Sequence, residues 1–168
     1  LLINMARLNK IIHVLFISIL NVLNGHSSRG LAANCTDVSG TTTTITASCS
    51  DLDIDGNGSN VTINSGVTLD GTNDAVNLAN ATNATLTNNG TITASASRGL
   101  RNPASATLDA LSNNGTITAG SSSGVRNDGT ITTLTNTNEI SATGGKGIFN
   151  TSGATTVSYT HLTLPTNR

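Results

Sequence analysis

The phrase NNGTITA occurs twice, as Asn88-Asn89-Gly90-Thr91-Ile92-Thr93-Ala94 and as Asn113-Asn114-Gly115-Thr116-Ile117-Thr118-Ala119. Each copy reads as a turn followed by a short extended segment, because Asn-Gly marks turns and Thr-Ile-Thr alternates polar and apolar side chains. A lone duplication leaves two copies, whereas a structural period leaves fainter ones at the same spacing on both sides. The fainter copies are present. Gly66 in INSGVTL precedes Gly90 by 24 positions, Gly90 precedes Gly115 by 25, and Asn138 in NTNEISA follows 23 later. Asn is the non-glycine residue that best tolerates positive φ, so the column Gly66, Gly90, Gly115, Asn138 is expected to be a left-handed turn position. The first copy is slipped by one, since Leu69 lies three residues after its Gly and Ile92 two after.

Two further columns share this period. Gly99-Leu100-Arg101-Asn102, Gly124-Val125-Arg126-Asn127 and Gly147-Ile148-Phe149-Asn150 are spaced by 25 and 23, with Ala75-Val76-Asn77-Leu78 fitting 24 before. Leu86, Leu111 and Leu134 form the third column. Within each unit single apolar residues are separated by Thr, Ser or Asn, which points them to one face of short strands. Such strands are too short to form a stable sheet alone. Stacking equivalent strands about 4.8 Å apart completes their backbone hydrogen bonds and merges the apolar columns into one core. The expected fold is all-β, a parallel β-helix of about four to five coils over residues 51–156. Asn88, Asn113 and Asn136 would then ladder their amides at one corner, while Ile92, Ile117 and Ile140 stack inside. A β-sandwich and a disordered Thr/Ser/Asn-rich stalk are the competing readings.

The ends read differently. Residues 1–4 precede Met5 as upstream read-through; Arg7 and Lys10 then introduce the apolar run IIHVLFISILNVL, followed by GLAA at Gly30–Ala33. A basic start, an apolar stretch too short to span a bilayer, and small residues together predict a secretory signal peptide over 5–33, with its apolar part helical. At the other end, VSYTHLTLPT (Val157–Thr166) resembles a translated transposase adaptor from sequencing-library preparation, so 157–168 is treated as an artefact. The gene is then expected to continue beyond Thr156.

Between these ends, residues 34–156 carry four basic side chains (Arg98, Arg101, Arg126, Lys146) against nine acidic ones, a formal charge of −5, and no His. That balance disfavours nucleic acid and anionic lipid as partners. Cys35 and Cys49, 14 positions apart behind the cleavage point, read as a disulfide closing an N-terminal cap over 34–50 with a turn at Val38-Ser39-Gly40. A redox or metal pair is the alternative, but neither a CxxC spacing nor a histidine accompanies it.

A signal peptide, a close Cys pair, and repeats of the form L-x-N-x-G-T-I-x-A and G-[LVI]-x-N resemble the start of the passenger domain of a Gram-negative autotransporter (type V secretion) or a related surface adhesin. The resemblance covers residues 5–156. It implies a right-handed β-helix on the cell surface, anchored by a C-terminal outer-membrane barrel downstream, and a role in adhesion, self-association or display. The implied partner is a surface glycan, a protein, or another copy of the chain.

Chemistry is sparse. Asp51-Leu52-Asp53-Ile54-Asp55-Gly56 matches the opening of an EF-hand loop, but position 12 is Thr62 rather than the required Glu. Asp51, Asp53 and Asp55 are therefore weighed both as a calcium candidate, within a calcium-stabilised surface-layer module, and as the exposed side of an acidic strand. Without His, Tyr or a free thiol in 34–156, imidazole-activated nucleophiles are unavailable, so no catalytic residue and no cofactor is expected here. A polysaccharide-active β-helix enzyme would need its catalytic residues downstream. Arg101 and Arg126 share one repeat position, so they would stack as like charges balanced by an anionic ligand or by Asp128. They form the expected ligand face.

Overall fold

The computed structural model describes residues 33–161, and the expected signal peptide up to residue 32 lies outside them. Three parallel sheets account for sixteen strands. The first comprises β1 (Val38–Ser39), β3 (Leu52–Asp55), β6 (Asp74–Asn77), β9 (Arg98–Asn102), β12 (Ser123–Asn127) and β15 (Lys146–Asn150), hydrogen-bonded in that order. The second runs β2 (Thr42–Ile45), β4 (Asn60–Ile63), β7 (Ala84–Asn88), β10 (Thr107–Asn113), β13 (Thr130–Asn136), β16 (Thr155–His161). The third holds β5 (Thr68–Gly71), β8 (Thr91–Ala94), β11 (Thr116–Ala119) and β14 (Glu139–Ala142). From β3 onward successive strands of the chain belong to successive sheets, so each circuit of the three sheets is one coil of a β-solenoid of about five turns; the first coil supplies only β1 and β2.

The apolar columns build the core. Ile92 pairs with Leu69 and Ile117, and Ile117 with Ile140. Leu86 pairs with Val61 and Leu111, and Leu111 with Leu134. Val76, Leu100, Val125 and Ile148 form the third stack. All but Ile140 and Ile148 are buried, so each coil hides its apolar residues only because neighbouring coils lie above and below. Burying one such side chain stabilises by about 1.5–3 kcal/mol, which no isolated strand of this length could realise.

Two amide ladders run along the corners. Asn88 Nδ2 donates to Asn113 Oδ1, and Asn113 Nδ2 to Asn136 Oδ1, both at 2.8 Å. The second, Asn102 to Asn127 at 2.7 Å and Asn127 to Asn150 at 3.1 Å, occupies the end of the column containing the arginines. Asn88, Asn102, Asn113 and Asn127 also donate to a backbone carbonyl of the next coil, such as Thr116 O or Thr130 O, whereas Asn136 donates to Asn138 O of its own turn and Asn102 Oδ1 is buried without a partner.

The expected left-handed column needs correction. Gly66 does have φ of 80°, but Gly90, Gly115 and Asn138 are absent from the positive-φ residues. The strand register also places Thr68 opposite Thr91, so Val67 rather than Gly66 stands at the level of Gly90. What requires glycine there is space: a Cβ on Gly90 would lie 2.4 Å from Val67 O, and one on Gly115 2.0 Å from Gly90 O. Each turn backbone packs directly on the turn of the preceding coil. Asn138 is exposed and leads into β14, the edge strand of its sheet.

Cys35 and Cys49 are joined, with Cα atoms 5.0 Å apart. The residues between them are not a hairpin set apart from the repeats. Val38–Ser39, expected in a turn, forms β1 on β3, and β2 lies on β4, so this segment supplies strands of the first coil. The chain reverses just after, at Gly40 with φ of 60°.

Candidate ligand face

The repeat period turns isolated charges into columns. On the outer side of the first sheet, Asp53 pairs with Asn77, Asn77 with Arg101, Arg101 with Arg126, and Arg126 with Phe149. Three residues nearer the start of each strand, Asp74 pairs with Arg98, Arg98 with Ser123, and Ser123 with Lys146. All four basic residues among the described residues therefore lie on one sheet, beside the lone Phe of that region. Acids are spread over all three sheets. The second sheet instead presents a hydroxyl column, Thr44, Thr62, Thr87, Ser112, Thr135, with no charge in it.

The four cations are in unequal states. Arg98 Nε donates to Asp74 Oδ1 at 2.6 Å, with both side chains largely shielded. Arg126 Nε donates to both carboxylate oxygens of Asp128, at 2.9 and 3.1 Å, and its guanidinium carbon sits 5.7 Å from the Phe149 ring centroid. Lys146 Nζ lies 4.3 Å from that same centroid, a cation–π contact worth about 0.5–1 kcal/mol at an exposed position. Arg101 has no carboxylate partner among the described residues, and its buried Nε has no hydrogen-bond acceptor.

Arg101 and Arg126 are thus brought side by side as their shared repeat position requires, and Asp128 balances only the second. Their immediate neighbours carried weaker signals. Phe149 was placed by the Gly147-Ile148-Phe149-Asn150 alignment, and Asn77 by the looser Ala75-Val76-Asn77-Leu78 one. The partnership of Asp74 with Arg98 follows from a register, 24 positions, that spans the slipped first coil.

The acidic opening of the calcium motif does not converge. Asp51, at φ of 47°, precedes β3, while Asp53 and Asp55 alternate outward along it and are exposed. Outward positions two apart on a strand diverge by about 6.6 Å. Asp53 accepts from Asn77 Nδ2 at 3.1 Å, and Asp55 Oδ1 accepts from the backbone N–H of Gly56 at 2.7 Å. Among the described residues no group of three or more His, Cys, Asp or Glu side chains is arranged to hold a metal ion.

Comparison of the chain with protein families, with curated proteins and with solved structures returns no match.

Proposed function

We propose that this chain is a segment of an exported, cell-surface β-solenoid that acts by contact, in adhesion, self-association or display, and that the outer face of the first sheet is its contact surface. The observation carrying this reading is the segregation of Arg98, Arg101, Arg126, Lys146 and Phe149 onto one sheet of a segment whose net charge is negative. A solenoid is suited to such a role, because every added coil lengthens a flat, regular surface without altering its cross-section. Cations and an aromatic ring are the side chains that most often anchor contacts, whereas hydroxyl columns like that of the second sheet are readily solvated.

The test uses the full chain, with binding to cells read by flow cytometry and self-association by sedimentation equilibrium. Replacing Arg101, Arg126 and Lys146 with Gln is expected to lower whichever signal the chain gives, while Thr62→Ala and Thr87→Ala on the second sheet leave it unchanged. Equal losses on both faces, or no signal in either assay, would overturn the reading.

A further inference from the structure

The second sheet presents an ordered outward surface of a different kind. Beside the hydroxyl column from Thr44 to Thr135 runs another, Thr42, Asn60, Thr85, Ala110, Thr133, paired coil by coil. Of the ten positions in these two columns, seven are Thr, one is Ser and none is charged. Asp109 falls outside both, at the register shift of β10. In-register pairing fixes the spacing in two directions, about 4.8 Å from coil to coil and about 6.6–6.8 Å between columns two residues apart on each strand. Behind them Val61, Leu86, Leu111 and Leu134 are buried in the core. Because the β-branched Thr side chain has few χ1 choices, the face is a stiff two-dimensional lattice of hydroxyls and methyls. The hydroxyls are also unspent. Among the described residues those of Thr62, Thr87, Ser112, Thr133 and Thr135 bond to no other protein group, and Thr85 alone donates within the face, to Asn60 Oδ1 at 2.9 Å. On the third sheet, by contrast, Thr118 Oγ1 donates to Thr93 Oγ1 at 3.1 Å, and Asp70 and Glu139 interrupt the two outward columns.

We infer that the outer face of the second sheet binds ice. A Thr hydroxyl donates one hydrogen bond and accepts two, so it can stand in for a water at the crystal surface. The two spacings approximate the oxygen repeats of a prism face of hexagonal ice, so waters held by successive coils sit near lattice positions while the Thr methyls fill the gaps between them. The missing charge matters equally, because an ammonium or carboxylate draws water into its own hydration shell and out of that lattice. The first sheet, with its arginines and aspartates, and the third, with Asp70 and Glu139, lack this uninterrupted array. Ice binding by the second sheet is independent of any contact made by the first.

The experiment grows ice slowly on a cold finger from a solution of the full chain and measures the protein taken into the ice, with serum albumin as the non-binding standard. Recrystallisation of a frozen sucrose film containing the chain is the second readout. Enrichment in the ice over albumin and slowed coarsening of the film are expected. Thr87→Lys puts a long, strongly hydrated cation in the middle of the lattice and should abolish both effects, as should Thr62→Lys one coil away. Thr116→Lys makes the same change on the third sheet and should leave both intact. Matching urea midpoints identify the variants that remain folded, and either second-sheet variant suffices. Uptake no greater than that of albumin overturns the inference, as does equal loss in Thr116→Lys or full uptake by a folded Thr87→Lys or Thr62→Lys. Binding to microcrystalline cellulose without uptake into ice overturns it too, and assigns the face to a polysaccharide lattice. Ice uptake without cell binding or self-association upholds this face and removes the contact reading of the first sheet; cell binding without ice uptake does the reverse.

Discussion

Asn88 donates its side-chain amide to Oδ1 of Asn113 at 2.8 Å, although 25 positions separate them in sequence. Asn113 repeats the gesture toward Asn136, so it is at once acceptor and donor in a buried chain. Replacing it with Leu leaves Asn88 one acceptor short, and deprives Asn136 and the backbone oxygen of Glu139 of a donor. The expected loss is about 2–4 kcal/mol in urea unfolding. Asn150 terminates the other ladder in an exposed position, and Asn150→Ala should cost about 1 kcal/mol or less.

Glycine substitutions separate space from backbone conformation. A side chain at Gly115 would collide with the backbone oxygen of Gly90, so Gly115→Ala should destabilise by about 3 kcal/mol or more, the scale of core overpacking. Gly66 has open space and φ of 80°, where Asn is tolerated, so Gly66→Asn should lie within about 1 kcal/mol of the parent. Thermal melts of the two variants give the comparison directly.

The internal stack makes a third expectation. Ile117 is fully buried between Ile92 and Ile140, and Ile117→Ala removes contacts on both sides. About 2–5 kcal/mol should be lost. Because coils touch only their neighbours, hydrogen exchange should quicken most in β8, β11 and β14 and least in β1 and β3.

Reduction of the Cys35–Cys49 bond frees a 14-position loop and should lower stability by about 3 kcal/mol on the chain-entropy model. Exchange protection of β1 and β2 should fall first, since these strands are tied by that bond at the end of the stack. Millimolar calcium should leave the melting temperature unchanged, because Asp51, Asp53 and Asp55 do not share a coordination sphere.

How far these features were legible depends on whether they recur. The Leu86, Leu111, Leu134 column and the Ile92, Ile117, Ile140 column declare themselves by period alone, and stacking then follows from the need to complete strands too short to stand alone. The Asn88 ladder was readable for the same reason. The second ladder was visible as a column, yet nothing in an Asn there distinguishes a hydrogen-bonded amide from a turn residue. Gly90 and Gly115 were misassigned because glycine answers two different demands, positive φ and close approach, with the same letter. The register around Gly66 was ambiguous because the first coil departs by one residue from the others. Arg101's buried, unpartnered Nε depends on which acids the coils bring near, and Asp74 and Asp128 reach Arg98 and Arg126 instead.

The central claim is that repeat-equivalent positions become neighbours, so that basic residues scattered through the sequence merge into one face. Spin labels on the double variant Arg101→Cys, Arg126→Cys test it most directly, the native cysteines being already joined. Paired strands hold the two backbones about 4.8 Å apart, whereas a flexible chain of this separation averages about 25–30 Å. Strong dipolar broadening that vanishes in denaturant is the predicted result; two independent, narrow spectra in the folded chain would contradict the account.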